Sequence, residues 1–341
     1  MHQQKPEKLA TGKPARNATL LTMRPNLRIA AILTLLALAP LGCKKSAPTN
    51  GLTPIKLQTD WYPQPEHGGF YTALVKGYYK QAGLDIQIVP GGPYLNAEQQ
   101  VSINAAQFGM SSSDRLIEAN ANGQSLVAIA ATMQHDPQAI MLHADSPVHA
   151  FPDLNGHAVS VRTGATWFEY IVKRFALTNV QEKPATYSVA NFIQDPQYIQ
   201  QIFVTSEPFY ARKANVPVRT ILISTSGYDP YRVFFTSHDY AAQHPDIVQK
   251  FVQASLHGWQ DYLQDPKPAH DLIKKLNPAI DPDLMQFSYE ALRDGHFIEG
   301  SNTLGQFDPA RWTSMSQTLL DLKVISKPID PTTTYTVQFL H

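Results

Sequence analysis

Asp60, Trp61 and Tyr62 set a carboxylate beside two rings, between a strand-like segment and a pair of prolines. The chemistry such a group offers is to hold a flat molecule that also makes hydrogen bonds. Ile55-Lys56-Leu57-Gln58 alternates apolar and polar residues as a half-buried strand does. Pro63 and Pro65 bar helix just beyond, so the three side chains fall on a loop at the strand's carboxyl end. After His67-Gly68-Gly69, read as a loosened backbone, Phe70, Leu74 and Tyr78 recur every four residues as one stripe of an amphipathic helix, closed by Gly83. Leu84, Ile86 and Ile88 alternate as the next strand. Strand, helix and strand with a right-handed crossover make a parallel sheet, and its ligands bind outside the carboxyl ends of the strands, where Asp60 to His67 lie.

Other strand ends carry polar residues in the same way. The short strand Ala105 to Met110 feeds Ser111-Ser112-Ser113-Asp114 and a helix from Arg115 to Asn122. Ser112 and its neighbours either cap that helix or stand with its amides at a cleft facing a ligand oxygen. Leu126 to Ala131 reads as a buried strand, and Ala139 to Leu142 as the strand leading out of the first lobe. Ala158 to Val161 leads to Arg162 and to a helix beginning near Trp167; Arg162 could pair an anionic ligand or lie on the surface. The strand from Ile199 stops at Ser206-Glu207-Pro208, with Pro208 suited to a first helical turn. Glu207 either faces the cleft or stabilises that helix N-terminus. Tyr228 and Tyr231 fall where the chain returns to the first lobe. From Pro245 to Tyr262 a long amphipathic helix buries Phe251, Ser255, Trp259 and Tyr262.

The N-terminal region points outside the cytoplasm. Arg24 and Arg28 precede the apolar run Ile29 to Ala39, which ends at Pro40-Leu41-Gly42-Cys43, the site of the only cysteine. Residues 1–43 read as a lipoprotein signal peptide, with Met23 as an alternative start and Cys43 as the lipidated residue. Pro40 stands where the lipobox usually has leucine, and the alternative is an ordinary secretory signal. Residues 44–52 are a tether. The remaining chain, about 290 residues, suits two lobes better than one core. Lys plus Arg and Asp plus Glu both number 28, and no basic stripe suggests nucleic acid. With Cys43 lipidated no thiol remains, so disulfides, cysteine-bound zinc and thiol catalysis are excluded. No cofactor or metal is expected, and no serine-hydrolase elbow, zinc-protease helix or phosphate loop is present.

Residues 60–85 resemble the opening of the thiamin-pyrimidine branch of the type II periplasmic binding proteins, roughly D-W-x-P-N-x-x-H-x-G-x-Y-x-A-x-x-x-G-Y-Y-x-x-x-G-L-D-V. Asp60, Trp61, Pro63, His67, Gly69, Tyr71, Ala73, Gly77, Tyr78, Gly83, Leu84 and Asp85 match, while Gln64 replaces the asparagine. Phe151 to His157 is similar to the P-x-D-L-x-G-K turn that opens the second lobe, Thr205 to Pro208 to a T-N-E-P sequence, and Pro245 to Pro266 to a further family pattern. Trp167 and Glu169 depart from the Gly-rich loop and acidic residues of close relatives.

The resemblance implies an α/β fold of two lobes, each a mainly parallel sheet flanked by helices, with residues 53–145 and 237–341 in one lobe, 146–236 in the other, and two hinge crossings. It implies a monomeric, exported lipoprotein, anchored to the membrane through Cys43, that delivers a small-molecule ligand to an ABC permease and its ATPase. A thiamin pyrimidine precursor comes first among ligands, then riboflavin, then an aliphatic sulfonate or nitrate-type solute. Trp61 and Tyr71 would stack on the ligand, Asp60 and His67 shape the loop, and Glu207 accept an exocyclic amine, with Tyr210, Trp167 and Tyr231 as further candidates. The pyrimidine synthases of this family use their own histidine with pyridoxal phosphate, a lysine and a cysteine cluster. Here Ala105 stands at the lysine position and Tyr228 to Thr236 lacks cysteine, so no enzyme is expected.

Overall fold

The computed structural model describes residues 51–298 and 304–341. The signal peptide, Cys43 and nearly all of the tether lie outside the described residues. Among the described residues ten strands form two sheets: β1 (Thr53–Gln58), β2 (Leu84–Val89), β3 (Phe108–Ser112), β4 (Leu126–Met133), β5 (Gln138–His143), β6 (Ala158–Val161), β7 (Gln181–Pro184), β8 (Ile199–Phe203), β9 (Val218–Leu222) and β10 (Arg232–Ser237). The helices are α1 (Gly68–Val75), α2 (Tyr78–Gln81), α3 (Ala97–Ser102), α4 (Ser113–Ala121), α5 (Thr166–Arg174), α6 (Ala190–Gln194), α7 (Glu207–Lys213), α8 (His238–Gln243), α9 (Pro245–Gln264), α10 (Lys267–Leu276), α11 (Pro282–Asp294) and α12 (Pro309–Asp321).

The strand orders are β2-β1-β3-β10-β4 and β7-β6-β8-β5-β9. These are one topology written twice: within each sheet four strands run one way and the fifth, β10 or β5, runs against both neighbours. Each antiparallel strand is the first element after the chain passes from one sheet to the other. That exchange corrects the expected boundaries. Ala139 to Leu142 pair with β8 and β9, so they belong to the second sheet, and Arg232 to Thr236 pair with β3 and β4 in the first. The passages are therefore residues 134–137 and 223–231, not the positions 145 and 236 read from the sequence. The sheets are mixed rather than mainly parallel only through these two strands.

Gly68 and Gly69 prove to be helical, not loosening, residues. A Cβ on Gly69 would stand 2.1 Å from the Trp259 ring, one on Gly68 2.2 Å from Tyr262, and one on Gly258 2.2 Å from the Gly69 carbonyl. Missing side chains thus let α1 and α9 touch along their backbones, a closeness no other residue permits. The expected single helix to Gly83 is broken at Gly77, whose φ of 76° ends α1 and starts α2. Phe70, Phe108, Phe234, Phe251 and Trp259 fill the core beside this contact, with Phe108 and Phe251 stacked at 3.8 Å. Each fully buried ring contributes about 1.5–3 kcal/mol. This rigid layer holds the end of β1 and the loop after it.

Candidate functional site

A cavity of about 220 Å3 opens between the two sheets, lined by strand ends and loops of both. From the first sheet come the loop after β1 (Asp60, Trp61, Gln64, Glu66), the end of β3 and Arg232 of β10; from the second come Gln200 to Phe203 of β8, Glu207, Trp167 and Tyr187.

At the mouth Trp61 meets Tyr187 from the opposite side, ring centroids 5.8 Å apart at 43°, and Tyr62 sits edge-on to Trp61 at 5.6 Å. Tyr187 is half exposed and holds a φ of 54°, a left-handed conformation that tyrosine rarely adopts. A ring from the loop after β1 and a ring from the loop after β7 therefore meet across the entrance.

The floor is ionic. Asp60 is ion-paired to Arg232 and bonded to His67 Nε2 at 3.0 Å, while the Arg232 Nη1 lies 3.8 Å from Asp136. Burial alone would raise the Asp60 pKa; the Arg232 charge and the His67 bond overcome it and hold the carboxyl well below the usual range. Asp136 shows the opposite balance, since burial outweighs Arg232 and lifts it to about 6. Its N–H donates to Asp229 Oδ1 at 3.0 Å, and Asp229 also takes His135 Nδ1 at 2.6 Å, so the two passages between the sheets are fastened to each other.

Two more carboxyls face the cavity. Burial raises the Glu66 pKa, and the Thr205 hydroxyl donates to this carboxyl from the far side of the cleft. Burial, with repulsion from Glu66, lifts Glu207 to about 7 although the Phe203 N–H donates to its Oε2 at 3.0 Å. Glu207 can therefore exist as acid or carboxylate near neutral pH, and so can donate to a ligand or accept from it.

Of the residues singled out from sequence, the structure brings Asp60, Trp61, Ser112, Arg162, Trp167 and Glu207 together on the cavity. Four other ligand candidates lie elsewhere. His67 is buried behind Asp60 at 1 % exposure. Tyr71 is sealed in the first core because the glycine contact presses α9 onto its helix. Tyr231 is packed between Phe307 and Trp312, its hydroxyl accepting the Asp308 N–H at 2.9 Å. Tyr210 lies exposed on α7 against Phe209. Ser112 precedes α4 without a side-chain capping bond. Sequence reasoning missed Glu66, Arg232, Tyr187 and Gln200. Glu66 lay inside the recognised motif, and Gln200 stood out as a glutamine in an apolar strand; nothing in the sequence marked Tyr187. Among the described residues no cluster of three or more metal-ligating side chains occurs, and no helix is long and apolar enough to cross a membrane.

The profile of the family described as NMT1/THI5 like matches residues 64–269, more than half of the chain. The chain belongs to this family. Three relatives are similar to it. A riboflavin-binding protein of Chloroflexus aurantiacus, RibY, is 22% identical over 325 residues, covering 88% of this chain and 91% of that protein. A 4-amino-5-hydroxymethyl-2-methylpyrimidine phosphate synthase of Legionella pneumophila is 21% identical, covering 84% and 92%. A formylaminopyrimidine-binding protein of Halalkalibacterium halodurans is 26% identical over 132 residues, covering 38% and 40%. The fold matches that of the periplasmic aliphatic sulphonate binding protein SsuA from Escherichia coli, with a TM-score of 0.65 at 15% identity over 82% of this chain and 91% of that one. The α/β, two-sheet architecture is thus that of the type II periplasmic binding proteins.

Proposed function

We propose that this protein is an extracytoplasmic receptor that captures a small planar heteroaromatic molecule between its two sheets and passes it to an ABC permease and its ATPase. The observation that carries this reading is the pair of rings, Trp61 and Tyr187, meeting from the loops after β1 and β7 at the mouth of a cavity with protonatable carboxyls. Rings contribute stacking and apolar burial, while Glu66 and Glu207 select a ligand with nitrogen donors and acceptors. A thiamin pyrimidine precursor suits this set first, its exocyclic amine meeting Glu207. Riboflavin is the second reading, favoured by the alignment of 88% of the chain with a riboflavin-binding relative. An anion such as a sulfonate fits less well, because Arg232 is committed to Asp60 and Asp136 and further carboxyls line the cavity, leaving the exposed Arg162 to meet it.

A binding role agrees better with the site than catalysis does. The histidine of the motif, His67, is sealed behind Asp60, and Ala105, at the lysine position of the synthases, is exposed on a turn away from the cavity. Attachment through Cys43 and a monomeric state complete the proposal. Calorimetry and thermal melts with hydroxymethylpyrimidine amine, formylaminopyrimidine, riboflavin and ethanesulfonate test it. A ligand present at a hundred times its Kd should stabilise the protein by about 2.7 kcal/mol. Absence of binding by every heteroaromatic compound would refute the reading.

A further inference from the structure

β8 lies inside its sheet, between β6 and β5, where side chains are ordinarily apolar. Yet Gln200 and Gln201 stand in succession between Ile199 and Ile202. Gln201 is accounted for within the protein: its amide donates to Gln138 Oε1 at 2.7 Å, and its Oε1 accepts the Arg162 N–H at 2.9 Å. Gln200 is not. It is 5 % exposed, lines the cavity, and its carboxamide has no hydrogen-bond partner among the described residues. Nor is the amide sealed in the protein like the indole of Trp259; its polar atoms open on the cleft.

The topologically equivalent strand of the first sheet, β3, repeats the pattern. Ser111 donates to Glu98, and Ser113 accepts the Tyr231 N–H at 3.0 Å, but the hydroxyl of Ser112 between them makes no bond among the described residues and lines the cavity at 4 % exposure. Buried polar groups are almost always paired, so an unpaired one on each side of a cavity marks where a ligand's polar atoms go.

Resting on the receptor reading above, we propose that Gln200 and Ser112 are specificity contacts, with Gln200 reading a ligand edge in which an N–H donor stands beside a ring-nitrogen or carbonyl acceptor. A carboxamide presents one donor and one acceptor in a plane and pairs with such an edge through two parallel hydrogen bonds. Aminopyrimidines and ring lactams both have it. A sulfonate or nitrate offers acceptors alone and leaves the Gln200 oxygen facing negative charge, while a ring without nitrogen or oxygen leaves both amide groups unmet.

The test compares Gln200→Leu, Gln200→Glu and Ser112→Ala with the parent protein by calorimetry, using hydroxymethylpyrimidine amine, riboflavin and ethanesulfonate as probes. Melting temperatures of the free variants report folding, and Gln200→Leu should melt no lower than the parent because it removes an unpaired buried amide. Whichever heteroaromatic probe the parent binds should weaken about 10- to 100-fold in both Gln200 variants and about 5-fold in Ser112→Ala. Unaltered affinity in a folded Gln200→Leu overturns this assignment and leaves the receptor reading standing. Parent protein that binds neither heteroaromatic probe overturns both.

Discussion

Replacing Asp60 by asparagine isolates the ion pair on the cavity floor. The substitution keeps shape and removes charge, leaving the Arg232 guanidinium, 13 % exposed, without its nearest anion. Breaking one side of a buried pair costs about 3–5 kcal/mol. Asp136, 3.8 Å from the other guanidinium nitrogen, remains as a second counter-charge and places the expected loss at the lower end, about 3 kcal/mol. For a folded body of about 290 residues that is a fall in Tm of about 5 °C. Urea denaturation at pH 7.5 measures it directly, and the pH dependence supplies a second reading. Because the Asp60 pKa is depressed in the fold, its contribution is complete above about pH 4, the unfolded carboxyl's value, and shrinks as pH falls below that. In an Arg232→Met background Asp60→Asn should cost less than it does alone, since no guanidinium is then left without its nearest anion and Asp136 has lost its partner on both sides of that comparison. A single-variant loss under about 1 kcal/mol, the worth of a solvated surface pair, would refute the reasoning, as would strict additivity in the double variant.

Asp136→Asn should act in the opposite direction: the folded pKa of Asp136 is raised to about 6, so wild type loses stability as pH rises through that value, and the neutral variant should gain up to about 3 kcal/mol by pH 8 in urea titrations and nothing near pH 4. Gly258→Ala puts a methyl 2.2 Å from the Gly69 carbonyl and 2.6 Å from the Ala73 Cβ, and overpacking of about 1–3 kcal/mol or more should appear as a lowered urea midpoint. For a neutral aminopyrimidine, calorimetric affinity should rise with pH through about 7 as Glu207 becomes the carboxylate acceptor, and Glu207→Gln should flatten that profile; a profile identical in the two proteins rules out the contact.

The region legible from sequence was the one where local rules and a long motif agree. β1, the proline-barred loop and the strand β2 stood where alternation placed them, and Pro208 marked the start of α7. Tyr71 misled because a helical stripe tells which residues share a face but not how many faces are buried, and Gly68 and Gly69 let α9 cover more of α1 than one stripe. Arg232 was hidden for a different reason. It opens a strand assigned to the wrong sheet, and only its register opposite Ser112 brings it to the cavity. β7 was missed because all four of its residues are exposed, so no alternation betrays an edge strand.

The interleaved strand order also fixes when each sheet can be finished during synthesis. All five strands of the second sheet lie between residues 138 and 222 and can pair as soon as that stretch has emerged. β4 cannot. Among the described residues its one sheet neighbour is β10, about a hundred residues downstream, and its other edge is met by bridges from Ala128 to Tyr335 and Ala131 to Gly305. Until β10 arrives, Leu126–Met133, uncharged and free of proline, is an unpaired apolar strand of the kind that aggregates. The pairing that completes the first sheet therefore waits for β10, and until residues 232–237 have emerged β4 is the strand most in need of shielding from other chains.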